Sequence, residues 1–283
     1  MNYLLGIDVG TSATKTVLFD EKGTVIASAS QEYPLYQPEN GWAEQKPEDW
    51  RDAVLKTIKE VVSQSGVDKD AVKGIGISGQ MHGLVMLDEA GEVIRPSIIW
   101  CDQRTGAEVE DMLKIMPREE WIRITANPPL TGWTAAKILW VRKNEPENYN
   151  RCRHILLPKD YIRYILTGVF ATEVSDASGM QLLDVPGRCW SDEVLKALNI
   201  DKDLLGKVYE SCEATGTLLA DEAKRTGLSE KCMVAGGAGD NAAAAVGTGV
   251  VKDGTAFTTI GTSGVVFAHT SKPAIDPKGR IHT

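Results

Sequence analysis

Over the first forty residues apolar and polar positions alternate with a period of two, then shift to a period near 3.6, and this change predicts the elements. Tyr3 to Val9, Thr16 to Phe19 and Val25 to Tyr33 read as strands separated by turns at Gly10-Thr11-Ser12 and Glu21-Lys22-Gly23, an antiparallel meander. From Pro47 to Gly66 the residues Trp50, Ala53, Val54, Thr57, Ile58, Val61 and Val62 share one face of a long helix. Such a stripe needs a sheet to cover. The next strand is Val72 to Ser78, and it runs into the loop Gly79-Gln80-Met81-His82-Gly83. Three antiparallel strands, a helix and a further strand are an α/β order, not a sandwich or a bundle. Downstream, helices are expected at Thr134 to Asn144, stopped by Pro146, at Pro158 to Leu166, stopped by Gly168, and at Ser191 to Leu198, opened by a serine N-cap. They read as an insertion or a helical layer. A last strand, Cys232 to Ala235, meets Gly236-Gly237-Ala238-Gly239, after which Asp240 to Val246 reads as a helix of small residues. Strand, glycine turn, helix is where α/β proteins place their chemistry.

Composition narrows the function classes. A length of 283 residues fits about two domains or one large one, and 42% hydrophobic with 25% charged residues excludes a disordered chain. The net charge of −8 and the lack of any basic block argue against nucleic acid. No apolar stretch approaches the about 18–20 residues of a membrane span, and Met1-Asn2-Tyr3 is no basic signal-peptide start, so a soluble cytoplasmic protein without a membrane partner is expected. The five cysteines are scattered and never in C-x-x-C spacing, which argues for reduced, mostly buried thiols rather than disulfides or zinc.

The segment Ile7-Asp8-Val9-Gly10-Thr11-Ser12 with Val17-Leu18-Phe19 is echoed by Thr259-Ile260-Gly261-Thr262-Ser263-Gly264 with Val265-Val266-Phe267. Matching apolar flanks point to a duplicated fold. The expected organisation is therefore one domain at 1–252 and, at 253–283, the first hairpin of a truncated second one.

Three clusters could carry chemistry. Asp8 to Lys15 lie on a tight hairpin where amides, the hydroxyls of Thr11 and Ser12 and the Lys15 ammonium converge, a donor set suited to phosphate, while Asp8 could hold Mg²⁺ through water. The plainer reading is an ordinary polar turn, and the spacing does not match a P-loop. Asp240 follows four residues without side-chain bulk and opens a helix, whose dipole favours its ionised form; there it could take a proton from an attacking hydroxyl. The plainer reading is an N-cap aspartate. Met81-His82 pairs an apolar side chain with a polar ring between glycines, as a sugar's carbon edge and hydroxyls require, although a lone histidine is more often a satisfied structural residue.

Taken together, GIDVGTSATK (6–15), GISGQMHG (76–83), WCDQR (100–104), GWTAAKILWVRKN (132–144), GGAGDNAAAAVG (236–247) and IGTSG (260–264) resemble the FGGY carbohydrate kinases, most of all those that phosphorylate xylulose. The resemblance runs along nearly the whole chain. It implies a ribonuclease H-like, actin-like fold with a mixed sheet flanked by helices, two such domains in a full enzyme, ATP and Mg²⁺ as cofactors and D-xylulose as substrate, and it allows a homodimer. Residue by residue it implies Asp240 as the catalytic base and Asp8 beside Mg²⁺ and phosphate. It implies Thr11, Ser12 and Lys15 in a first phosphate loop, Thr262 and Ser263 in a second, Met81 and His82 on the ketose, and Asn241 as a further contact. Trp100, Asp102 and Arg104 would line or brace the pocket, and Gly132 to Asn144 would serve packing. Much of the nucleotide site would lie outside these residues, so the chain alone is expected to be inactive. A gluconate or other ketose kinase, or a non-catalytic actin-like ATP-binding protein, remains as an alternative.

Overall fold

The computed structural model describes residues 1–260 and 264–283. In β1 (Tyr3–Val9) the alternation buries Leu5, Ile7 and Val9 and turns Leu4 and Asp8 outward. The chain returns as β2 (Ala13–Asp20) and β3 (Val25–Glu32), giving the expected antiparallel meander. α1 (Pro47–Ser65) packs Trp50, Val54, Ile58 and Val61 on the core formed with Leu5, Leu18 and Ile75, and Thr57 Oγ1 meets Thr16 Oγ1 at 2.7 Å. No side chain caps the N-terminus of α1, so its buried stripe holds it, each fully buried aliphatic contributing about 1.5–3 kcal/mol. Of the face read from the sequence, Val62 alone is only partly buried.

β4 (Val72–Gly79) lies parallel to β1 on the side away from β2. Between β4 and the next strand of this sheet come α2 (Thr134–Asn144), α3 (Pro158–Thr167) and several shorter helices. Most of them build a second core around Met86, Met112, Trp121, Ile138, Leu182 and Val194, the helical layer anticipated from the sequence, whereas α3 packs Ile162 and Leu166 on the sheet. Pro146 ends α2 as expected and also opens the six-residue helix Pro146–Arg151, because its fixed φ and missing N–H suit a first helical position.

β5 (Ala214–Thr217) and β6 (Met233–Ala235) complete the sheet in the order β5-β6-β4-β1-β2-β3, with β6 parallel to β4 and β5 antiparallel to β6. A meander followed by strands parallel to its first member is the mixed ribonuclease H-like arrangement. The two residues Ala238–Gly239 pair with the end of β4, and α4 (Asp240–Gly247) follows at once. Beyond it, β7 (Ala256–Ile260) and β8 (Gly264–Ala268) form a separate antiparallel hairpin in which Phe257 stacks on Phe267 at 5.3 Å. Thr262 and Ser263 lie outside the described residues. The segment Arg280 to Thr283, which the sequence leaves as bare turn residues, is tied down. The Asn127 amide exchanges two 3.0 Å hydrogen bonds with the Thr283 backbone, and Arg280 pairs with Asp276.

Among the described residues no helix is long and apolar enough to cross a membrane. The cysteines depart from expectation. Cys152 and Cys232 are buried, but Cys212 is exposed in a turn and Cys189 on the outward face of the two-residue strand Cys189–Trp190.

Candidate functional site

Register decides which side chains meet. β1 and β4 end level, with Asp8 opposite Ser78 and Val9 opposite Gly79, and Gly79 in turn lies opposite Gly239. The carboxyl ends of these parallel strands therefore bring Asp8, Ser78 and Asp240 to one edge, the usual place for a ligand in an α/β sheet. Ser78 Oγ donates to Asp8 Oδ1 at 2.6 Å. At Asp240 the backbone N–H and side-chain amide of Asn241 both reach Oδ1, at 2.7 and 3.0 Å, and Oδ2 has no partner among the described residues. Asn241 thus braces Asp240.

Asp240 opens on solvent, yet the protein walls around it raise its pKa, and the nearby Asp8 charge adds to the rise. This corrects the expectation that the helix dipole favours the ionised form. Partial desolvation and a like charge outweigh a dipole effect that is typically only about 0.3–1 kcal/mol.

The turn before Asp240 depends on its missing side chains. Gly237 has φ +83°, and a Cβ there would lie 2.1 Å from the Ile77 carbonyl oxygen. A Cβ on Gly239 would lie 2.9 Å from Met81 Cγ, so Met81 sits directly against the residue preceding Asp240.

His82 adopts φ +66°, a left-handed backbone that non-glycine residues rarely hold without support. The support is its carbonyl, which accepts hydrogen bonds from Lys137 Nζ at 2.7 Å and Thr134 Oγ1 at 3.1 Å. Lys137 is fully buried, and its desolvation pulls its pKa down to about 7. The His82 ring stacks on Trp133 with centroids 4.8 Å apart and lies 5.6 Å from His282. Its Nδ1 is 2.8 Å from the Gly179 carbonyl oxygen. A carbonyl only accepts, so Nδ1 carries the proton, and in the neutral ring Nε2 is left as an acceptor.

Burial, with the charges of His282 and Lys137 adding to it, lowers the His82 pKa to about 3, and burial lowers that of His282 to about 4. The unfolded chain takes up these protons below about pH 6.5, and the folded chain refuses them until much lower pH. Stability is expected to be complete above pH 6.5 and to fall as the pH drops from there towards 3. Thermal midpoints between pH 7 and 5 check this, because His82→Gln should flatten the decline and an unchanged slope would count against a buried neutral His82.

The glycine-threonine turn is braced from several sides. The Gly10 carbonyl accepts from Tyr33 OH at 2.5 Å, the Thr11 carbonyl from Gln45 Nε2 at 2.7 Å, and Thr11 Oγ1 from Trp100 Nε1 at 2.9 Å. Lys15 pairs across the strands with Asp8, at the same strand end, and with Ser12 it is exposed. Trp100 therefore lines the site. Asp102 and Arg104 brace the wall behind it: Arg104 bonds Asp102 and Glu44 and stacks on Trp42 at 3.7 Å.

Asp8, Met81, Asp240 and Asn241 thus come together with one end of the Asp8 to Lys15 hairpin, and His82 follows Met81 in the adjoining loop with its ring against Trp133, His282 and Gly179. Sequence reasoning missed Ser78, although it quoted the strand that carries it, and it gave Lys137 a packing role. Trp133 was read only within a packing segment and His282 had no signal, since their contacts with His82 span about 50 and 200 residues of chain.

The model for the N-terminal domain of the FGGY family of carbohydrate kinases matches residues 3–247. A xylulose kinase of Bacillus subtilis is 42% identical over 282 residues, a match that takes in 100% of this chain and 56% of that protein. Among solved structures, a "xyloylose kinase" from Brucella ovis superposes with TM-score 0.95 at 39% identity, covering 99% of this chain and 57% of its own. A gluconate kinase from Lactobacillus acidophilus gives 0.92 at 29%, covering 98% and 56%. The chain thus spans little more than half the length of the curated relatives it matches.

Proposed function

Because the chain belongs to the FGGY family of carbohydrate kinases, we propose that it supplies the sugar-binding and base-bearing part of an enzyme that transfers the γ-phosphoryl group of ATP to D-xylulose, at O5. Residues 1–252 form that part, and 253–283 open the nucleotide-binding domain. The observation that carries this reading is Asp240, with one carboxylate oxygen free, directly after the Gly239 that packs on Met81, at the strand edge that also holds Asp8.

In this reading Asp240 Oδ2 takes the proton of the attacking hydroxyl, and burial, which raises its pKa, makes it a stronger base. Met81 covers the carbon edge of the ketose, Asn241 contacts it, and His82 Nε2 accepts a hydrogen bond from a sugar hydroxyl. Thr11, Ser12 and Lys15 face the phosphates, and Thr262 and Ser263 take the same part. Among the described residues no three His, Cys, Asp or Glu side chains could together hold a metal. Asp8, with Asp240 beside it, fits the one or two carboxylates that usually hold Mg²⁺ next to substrate phosphates. When bound, the ion would offset charge on the transferring group.

The charges also bear on the choice of sugar. A neutral His82 and two carboxylates at the strand edge favour an uncharged ketose over a sugar acid, which would meet repulsion from Asp8 and Asp240. Calorimetry with xylulose and gluconate tests this directly: tighter binding of gluconate would reverse the assignment. ATP turnover by the complete gene product that requires an added ketopentose separates this kinase from an actin-like ATP-binding protein.

His82→Ala should weaken xylulose binding by about 1–3 kcal/mol, or about 5–150-fold in Kd, without comparable change for ATP. A xylulose analogue lacking the recognised hydroxyl should then bind wild type and variant alike. Unchanged xylulose affinity in His82→Ala would take this residue out of the site.

A further inference from the structure

Behind the glycine turn lie five ionisable side chains, Lys159, Asp160, Arg163, Glu173 and Asp176, each no more than 1% exposed. Lys159 Nζ lies 2.7 Å from Asp160, 3.3 Å from Glu173 and 3.3 Å from Asp176, and Arg163 lies 3.1 Å from Asp160. Lys159 Cβ packs beside Gly79 at the end of β4, but none of the five charged groups bonds Asp8 or Asp240, and the proposed phosphoryl transfer uses none of them. Burying so many charges is costly unless each is paired, so their placement asks for a reason.

The reason lies in what the turn lacks. Gly236-Gly237-Ala238-Gly239 offers almost no side chain by which packing could fix it, which leaves its backbone N–H and C=O groups as handles. The cluster takes hold of both ends. Arg163 Nη1 donates to the Gly236 carbonyl at 2.9 Å. At the other end the Gly239 N–H donates to Ser175 Oγ at 3.1 Å, and Ser175 Oγ donates to Glu173 Oε1 at 2.9 Å. Glu173 is fixed in turn by the N–H groups of Ser175 and Asp176, by Ser211 Oγ at 2.7 Å and by Lys159.

We propose that this buried cluster is a positioning element for Asp240, with Arg163 and the Glu173–Ser175 pair clamping the two ends of the glycine turn so that the carboxylate is held at a fixed point on the strand edge. The proposal rests on the reading of Asp240 as the base. Its physical basis is the steep cost of misplacing a reacting group, where about 1 Å is worth about a hundredfold in rate. Burial also raises the Asp176 pKa well above the usual carboxylate range.

Ser175 is the residue to test, because it is uncharged and its hydroxyl joins Glu173 directly to the Gly239 N–H, whereas Ser211 joins Glu173 to the Gly237 N–H through its hydroxyl and its own carbonyl. In the complete gene product, Ser175→Ala should lower kcat about tenfold while KM for xylulose and the thermal midpoint stay near wild type. Ser175→Thr, which keeps the hydroxyl, should restore kcat. Amide hydrogen exchange over 236–240 should quicken in Ser175→Ala and not in Ser175→Thr, a readout that needs no activity. With Asp240→Asn already present, Ser175→Ala should cost nothing further, since no base remains to position. If Asp240→Asn turns over normally, the base reading itself fails. If Asp240→Asn is impaired while Ser175→Ala keeps wild-type kcat, or loses kcat, KM and midpoint together, the clamp is wrong and the base reading stands.

Discussion

Asp240→Asn in the complete gene product is expected to lower kcat for xylulose phosphorylation by about 10²–10⁴, the usual worth of a positioned general base. Asparagine keeps the size of the side chain and can still accept from the Asn241 N–H groups that now reach Oδ1 at 2.7 and 3.0 Å, so α4 should start as before. What it loses is the free carboxylate oxygen proposed to take the proton. Xylulose affinity should change far less, because the contacts assigned to Met81 and His82 are untouched. A steady-state comparison with a calorimetric Kd separates the two effects. Turnover within about threefold of wild type in folded protein would falsify the base assignment. The 283 residues on their own are expected to show negligible turnover, since the matched relatives are nearly twice as long and phosphoryl transfer relies on groups held around the transferring phosphate.

Lys159→Met should be the most damaging single change to stability, at about 3–5 kcal/mol. Methionine matches the length of the lysine, but the ammonium that lies between Asp160, Glu173 and Asp176 is gone, and Arg163 compensates only Asp160. Carboxylates left unpaired in a dry interior must be protonated or unfold their surroundings. Against a typical total of about 5–15 kcal/mol this is a large share. Arg188→Ala is the control. The Arg188–Glu210 pair is roughly half exposed on both sides, so water and salt screen it, and its loss should cost under about 1 kcal/mol. Urea unfolding of the three proteins at a shared m-value gives the comparison. A Lys159→Met midpoint matching that of Arg188→Ala would show that the cluster is not the buried keystone its geometry implies.

Period and punctuation made much of the fold legible. α1 was readable because six apolar positions and Thr57 share one face and Gly66 ends it in a left-handed cap. The meander was readable because alternation and turn residues agree, and Gly236 to Asp240 because a glycine turn between strand and helix is a local pattern. The short elements were not. Strands of two to four residues, such as Ala171–Glu173 and Ala214–Thr217, carry too few positions to set a period, and only pairing with distant strands makes them.

The sequence alone determined the α/β order, the helix and strand faces, and the residue types on the hairpin, the histidine loop and the glycine turn, because each follows from neighbours a few positions away. The tertiary structure decided what those residues meet. Parallel pairing of β1 with β4, about 70 residues apart in the chain, sets Asp8 beside Ser78, and the pairing of Gly239 with Gly79 brings Asp240 to the same edge. The fold also reversed the local expectation for Asp240, where desolvation and the Asp8 charge oppose the helix dipole. It gave Lys137 the His82 carbonyl to hold, Ser175 the Gly239 amide and His282 a place beside His82. Hydrogen bonds and desolvation depend on distances across space, and a pattern of sequence neighbours holds no record of those distances until the chain has folded.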